Sequence, residues 1–202
     1  MVPPIILASQ SPARRQLLEA AGIPHRAEPS YFDEDSIRDP NPLTLVQSLA
    51  LQKARLIADR HPEPAIVIGA DSVFWLNGEI LGKPDNADVA FRRLQSMRGQ
   101  IGELYTGMAM IETQPRRQLV HHALTRVYLA RPSDQELADY VATGEPLHCA
   151  GCFALDGLGG FFVERIEGCH SNVIGLSLPL LRRMFLEWNY DITDYWSSRT
   201  LD

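Results

Sequence analysis

Leu7-Ala8-Ser9-Gln10-Ser11-Pro12-Ala13-Arg14-Arg15 decides how this chain is read. The apolar run Ile5-Ile6-Leu7-Ala8 before it has the length and composition of a short buried strand. Ser9-Gln10-Ser11 then makes a polar turn. Ser11 suits a helix N-cap, and Pro12 suits the first helical position, where a missing N–H costs nothing. Leu17, Leu18 and Ala21 supply the helix's apolar face, and Gly22 its stop. The pattern is therefore strand, polar turn, helix start, with two arginines in the first turn. Arginines oppose the macrodipole there. Hydroxyls, free backbone N–H groups and guanidinium groups gathered at one point make a site for an anion, although a solvated strand–helix junction has the same local pattern.

Outward from that stretch, strands and helices alternate. Ala65-Ile66-Val67-Ile68-Gly69-Ala70 is a continuous, β-branched run, the mark of a buried strand. Asp71-Ser72 ends the run, and a carboxylate there needs a cation or hydrogen bonds to offset burial. Val73 to Leu76 continues the strand, Asn77-Gly78 is a hairpin turn, and Glu79-Ile80-Leu81 returns, bringing Lys83 back towards Asp71. Between the first two strands, Asn41-Pro42 opens a helix running to about residue 60. Lys53, in its middle, reads from periodicity as solvent-facing. Asn86 or Asp85 caps a helix over 87–97. Two long strands follow over 103–112 and 118–130, and Ser133-x-x-Glu136 is a capping box opening another helix. A strand over 161–166 and a helix over 180–188 complete the pattern. The whole is an α/β fold over 1–190 as a single domain, with the polar 191–202 expected as a loose tail.

Composition sets the outer limits. The chain has 202 residues, 45% of them hydrophobic and 22% charged, which supports a packed core of one ordinary domain. No apolar run reaches the roughly 18–20 residues that span a bilayer, and no signal-peptide pattern opens the chain, so no membrane partner is expected. Three cysteines cannot all pair, which points to the cytoplasm. The net charge of −6 argues against a polymeric nucleic-acid partner but leaves room for a small anion held in a local basic cluster. Two further clusters compete for function. Asp33-Glu34-Asp35 is a solvated acidic loop or a donor of hard oxygen ligands to a divalent cation. Cys149-Ala150-Gly151-Cys152, with His148, Cys169 and His170, permits a zinc or redox reading, but a single C-x-x-C without a strand–motif–helix context favours small packing residues.

These pieces together resemble the Maf family of nucleotide pyrophosphatases. The resemblance runs from about residue 5 to 190. It rests on Leu7-Ala8-Ser9-x-Ser11-Pro12-x-Arg14, Asp33-Glu34, Lys53-Ala54, Gly69-Ala70-Asp71-Ser72, Gly82-Lys83-Pro84, Ala150-Gly151 and Val173-Ile174-Gly175-Leu176. It implies a twisted mixed β-sheet flanked by helices, with two lobes and a deep central cleft, similar in plan to inosine triphosphate pyrophosphatases. The implied reaction is hydrolysis of a nucleoside triphosphate between the α and β phosphates, assisted by Mg²⁺ or Mn²⁺. Asp71 is then the base, Glu34 with Asp71 the metal ligands, and Ser9, Arg14, Arg15, Lys53 and Lys83 the phosphate cradle, which overrides the solvent-facing reading of Lys53. Homodimers are implied as well. The alternative is a nucleotide-binding regulator of cell division with little turnover.

Base choice stays open. The family branch acting on dTTP and UTP carries Arg where this chain has Ala13, Thr where it has Ser72, and Gln where it has Asp156. The branch acting on 7-methyl-GTP tends to carry an aromatic, Gln and Glu there. Asp156 leans towards the second branch in charge. Ala13 offers no stacking face, and Ser72 leans towards the first.

Overall fold

A computed structural model of the protein describes residues 2–196. In chain order the elements are β1 (Ile5–Leu7), α1 (Pro12–Ala20), β2 (His25–Ala27), α2 (Pro42–Ala58), β3 (Ile66–Leu76), β4 (Glu79–Leu81), α3 (Ala87–Met97), β5 (Ile101–Glu112), β6 (Arg117–Leu129), α4 (Asp134–Ala142), β7 (Val163–Glu167), α5 (His170–Ile174) and α6 (Leu178–Glu187). The strands form a mixed seven-stranded sheet in the order β2-β1-β3-β5-β6-β7, with β4 on β3. The chain divides into two compact units. Among the described residues, the first runs to Asp71 and takes in Thr106–Ala123 and 175–196; the second is Ser72–Tyr105 with Leu124–Ile174.

In the first unit, β1 pairs in parallel with both β2 and β3, Leu7 opposite Ala27 on one side and Ile68 on the other. The unbroken apolar runs have a simple cause: both sheet faces are covered. Ile5, Leu7, Ile66, Ile68 and Ala70 point into one core with Leu181, Met184 and Phe185 of α6. Ile6, Ala8 and Val67 point into the other, against Ala50, Ala54 and Ile57 of α2. The period-two alternation that sends Val67 to α2 sends Gly69 and Asp71 to it too.

The second unit has its own core, in which Phe74, Leu76, Met97, Leu104, Val127 and Phe153 meet. The β3–β4 hairpin closes at Asn77-Gly78, where both residues take positive φ, as a two-residue turn requires. Ser133 and Glu136 form the expected capping box at α4.

Three local expectations change. The strand expected from Phe161 begins at Val163, because Leu158–Phe162 coil into a 3₁₀ segment. The last helix starts two residues early, at Leu178, because Ser177 caps it. The chain past Asp191 is not loose as far as Trp196: Ile192–Tyr195 form a 3₁₀ turn, Tyr195 is buried, and its hydroxyl donates to the Pro3 carbonyl at 2.9 Å. Positions 197–202 of the expected tail lie outside the described residues. Among the described residues, no helix is long and apolar enough to cross a membrane.

Candidate active site

The first unit assembles most of the residues singled out at the start of the chain. Parallel pairing sets Leu7, the last residue of β1, opposite Ile68 of β3, so the Ser9 turn leaves β1 just where the longer neighbouring strand runs on to Asp71. Ser11 caps α1, accepting from the Arg14 backbone N–H at 3.4 Å, and Pro12 follows the cap. The Ser9 hydroxyl is turned inward and accepts from the Ser11 N–H at 3.1 Å and from the Arg14 guanidinium at 3.4 Å. Arg14 Nε donates at 2.7 Å to the carbonyl of Gly175. Gly175 takes φ 123°, and a Cβ there would press on Arg14 Nε at 3.2 Å. A residue other than glycine would thus strain its own backbone and crowd the arginine.

Lys53 is buried, not solvent-facing. It falls on the inward stripe of α2 with Ala50, Ala54 and Ile57, and its ammonium is the only polar tip on that stretch of stripe. Nζ bridges two carboxylates: it is hydrogen-bonded to Asp71 and lies 2.6 Å from Glu34 Oε1. Glu34 comes from the 3₁₀ turn Glu34–Ser36, which Asp33 caps, so Asp33 serves its own loop while Glu34 faces the lysine. Lys53 can reach Asp71 because Gly69 lets α2 sit against β3. A Cβ at 69 would overlap the Ala50 carbonyl oxygen and lie 2.9 Å from the Ala54 nitrogen.

The electrostatics follow from burial. Asp71 is 6% exposed, and desolvation raises its carboxyl above its ordinary value. Lys53 and Arg14 pull the other way without cancelling the rise, and Glu34 adds to it. Burial also lowers the Arg14 guanidinium, with Asp71 and Glu34 offsetting part of the effect. Two carboxylates, an ammonium and a guanidinium thus face one another. A carboxylate raised above its ordinary value by burial, beside an ammonium that favours its ionised form, has the properties of a base.

Other expected members lie elsewhere. Arg15 points along the exposed side of α1 and pairs with Glu19 at 3.7 Å, outside this group. Ala13 is half-buried in the first turn of α1. Ser72, Lys83 and Asp156 all belong to the second unit. There Lys83 and Asp156, with Glu145, act electrostatically on the half-buried Cys149, whose thiol burial pushes up to about 11. Cys152 is fully buried beside Ala90, Leu94, Leu137 and Tyr140. Among the described residues, no group of three or more His, Cys, Asp or Glu side chains converges as a metal cage.

The residues do fit a divalent cation of another kind. Glu34 and Asp71 already clasp one cation, the Lys53 ammonium, between hard oxygen donors. Mg²⁺ and Mn²⁺ sites commonly use one or two such carboxylates, completed by water and substrate phosphates. The sequence reading missed three supporting parts: the Gly175 carbonyl on Arg14, the close approach at Gly69, and the carboxylate of Glu145. Gly69 and Gly175 stood in the motifs without a role.

Comparison with known proteins bears on this geometry. The family model described as "Maf-like protein" matches residues 4–188. A nucleoside triphosphate pyrophosphatase of Synechococcus sp. (strain JA-2-3B'a(2-13)) is 65% identical over 197 residues, covering 98% of this chain and 100% of the relative. One from Nostoc punctiforme (strain ATCC 29133 / PCC 73102) is 53% identical, covering 96% and 98%. Among solved structures, the Staphylococcus aureus Ham1 protein aligns with a TM-score of 0.51 at 15% identity, covering 92% of this chain and 98% of that one. A HAM1 protein from Coxiella burnetii aligns at 0.50 and 17% identity, covering 93% and 100%. At such identity the two structures speak for the fold alone. None of these names supports the division-regulator alternative.

Proposed function

This chain belongs to the family of Maf-like proteins, and we propose that it is a nucleoside triphosphate pyrophosphatase that splits the α–β anhydride to a nucleoside monophosphate and pyrophosphate. The observation that carries the reading is the Lys53 ammonium seated between Asp71 and Glu34, with Arg14 braced behind them. Asp71 takes a proton from the attacking water. Burial makes its carboxylate a stronger base than an exposed one, while Lys53 keeps it ionised. Arg14, held by Gly175 and Ser9, presents a fixed guanidinium to phosphate oxygens, which needs no reorganisation as charge develops. We assign Lys83 to phosphate binding as well.

Glu34 and Asp71 would hold Mg²⁺ or Mn²⁺, which when bound offsets charge on the phosphate oxygens. With the cation held there, the Lys53 ammonium would be released in part from the two carboxylates and could serve a phosphate oxygen. A nucleotide substrate supports a cytoplasmic setting. We assign base choice to Ala13, Ser72 and Asp156. Ala13 leaves space rather than a stacking face, and the Asp156 carboxylate accepts from base N–H groups.

The test is a panel of nucleoside triphosphates, modified pyrimidines and 7-methyl-GTP included, with Mg²⁺ or Mn²⁺, scoring pyrophosphate against orthophosphate. The expected product is pyrophosphate, and Asp71→Asn should lose about 10²–10⁴-fold in kcat while still binding nucleotide. Release of orthophosphate alone, or full activity in Asp71→Asn, would overturn the assignment.

A further inference from the structure

The second unit contains a dyad that the reaction does not use, a buried tyrosine and a half-buried glutamate. Tyr140, on α4, donates its hydroxyl to Glu145 Oε1 at 2.7 Å. Glu145 also accepts from two consecutive backbone N–H groups, Gly159 at 2.8 Å on Oε1 and Leu158 at 3.0 Å on Oε2. The Tyr140 hydroxyl in turn accepts from the Ala154 N–H at 3.4 Å. The loop 154–159 is therefore tied on both sides, and Asp156, exposed at its turn, sits between the ties. Phe162 packs on the Tyr140 ring at 5.1 Å between centroids, fixing it from the far end of the same segment.

The backbone is shaped to this clamp. A Cβ at Gly157 would press on the Glu145 carboxyl, with Cδ at 2.8 Å, and one at Gly159 would lie 2.7 Å from the Ala154 nitrogen and overlap the Tyr140 hydroxyl. Glu145 itself is set by the end of α4: Gly144 takes φ 81°, and the Glu145 N–H donates to the Thr143 hydroxyl at 3.2 Å. A single carboxylate that caps the Leu158–Phe162 turn through its first two N–H groups, and also holds a tyrosine, is more than a surface glutamate needs.

We propose that Glu145 and Tyr140 are positioning residues for base selection, fixing the loop 154–159 so that the Asp156 carboxylate meets the nucleobase edge at a set place; this rests on the proposed role of Asp156. The ligand class is the nucleobase of a nucleoside triphosphate, and the dyad touches neither the base nor the phosphates. Its charge is maintained by the contacts described: burial alone would raise the Glu145 carboxyl, but the Gly159 N–H, the Tyr140 hydroxyl and the Leu158 N–H outweigh it and keep the carboxyl below its ordinary value.

Glu145→Gln places an amide N–H₂ where one of the backbone donors must be accepted, and Tyr140→Phe removes the link to Ala154. Each should lower the ratio of kcat/KM between the preferred nucleotide and the next by about tenfold, more through KM than kcat. Binding of inorganic triphosphate, which has no base, should stay at the wild-type level. Equal weakening towards every nucleotide and towards inorganic triphosphate would mean a merely structural role and overturn the proposal, as would an unchanged base ranking in both variants.

Asp156→Asn separates the layers. If it changes the ranking and the dyad variants do not, the dyad proposal fails and the role of Asp156 stands. If the dyad variants blur the ranking and Asp156→Asn does not, the loop reads the base without Asp156 and the proposal fails as stated. Should the wild-type protein turn over no nucleotide, the pyrophosphatase assignment fails on its own. The same ratios, taken from dissociation constants, then decide on the dyad.

Discussion

Gly69→Ala is the sharpest test of how this fold places its base. The substitution adds one methyl group on the face of β3 that carries Asp71. That methyl would overlap the Ala50 carbonyl oxygen and lie 2.9 Å from the Ala54 nitrogen, where unstrained contacts begin at about 3.4 Å. Both atoms are backbone, so no side chain can rotate away, and α2 must back off by on the order of 1 Å. Overpacking of this kind costs about 1–3 kcal/mol. Taking about 2 kcal/mol, the urea midpoint should fall by about 1 M, and Tm by about 4–8 °C. Ala50 and Ala54 bracket Lys53, so the same displacement draws the ammonium away from Asp71 and should lower kcat/KM by about 10²-fold.

Gly107→Ala supplies the comparison. Its Cβ would overlap the Val46 carbonyl and lie 2.7 Å from the Gln47 nitrogen, on the same helix but about 10 Å along it from Lys53. It should lose comparable stability with far less activity. Urea denaturation and pyrophosphate release measure both. A Gly69→Ala protein with wild-type midpoint and rate, or two glycine variants losing activity strictly in step with stability, would refute the argument that close packing aligns Lys53.

Asp71 is raised by burial, so the acid limb of the kcat/KM profile should lie above the ordinary 3.8 of an aspartate, and Lys53→Met should move it higher still; a limb at or below 3.8 would count against Asp71 as base. Chelation of divalent cations should abolish turnover and added Mg²⁺ or Mn²⁺ restore it, while full activity in chelator would remove Glu34 from its assigned role. His61 is buried with Nδ1 2.6 Å from Glu63 and Nε2 3.0 Å from Glu28, and these hydrogen bonds raise it above 6.5. The folded state thus keeps a proton that the unfolded chain loses, so this stabilisation is complete below 6.5 and disappears as pH rises through the elevated folded value. Tm should fall more steeply with rising pH in the wild type than in His61→Gln, and parallel curves across that window would dismiss the linkage.

Much of the first unit was legible because its signals are local. Ser11-Pro12 and Asn41-Pro42 start their helices by cap chemistry that needs no tertiary context. The runs Ile5–Ala8 and Ala65–Ala70 are apolar at every position because both faces of the sheet are covered, which a short continuous run already implies. Lys53 shows where such signals stop. Seven residues past Val46 and four before Ile57, it lies on the buried stripe by spacing alone, yet a lone lysine reads as solvated until its counter-charges are known. Those charges come from a loop and from the middle of β3, and nothing in the helix names them. The tail past Asp191 misleads for the same reason: Tyr195 looks like a polar-tail residue until the Pro3 carbonyl and the core below it are in place.

The harder part to read was what holds the site, as opposed to what acts in it. Arg14 and its brace at Gly175 are separated by 161 positions, and the brace is a carbonyl, which every residue possesses. Its only trace in sequence is a glycine whose need for positive φ is invisible beforehand. The second unit repeats the pattern, since Glu145 acts through backbone N–H groups of residues 158 and 159 that carry no side-chain signature. The boundary between the units falls between Asp71 and Ser72. Ser9, Arg14, Glu34, Lys53 and Asp71 lie before it or in its unit, and Ser72, Lys83 and Asp156 beyond it. In the proposed function, acid–base chemistry rests on the identity of a residue within β3, where one substitution costs about 10²–10⁴-fold. In the proposed clamp, base choice depends on where a loop is held, so identity at Ala13, Ser72 and Asp156 would not determine it alone. Substitutions at Glu145 or Tyr140 should therefore shift which nucleotide is hydrolysed before they affect whether hydrolysis occurs.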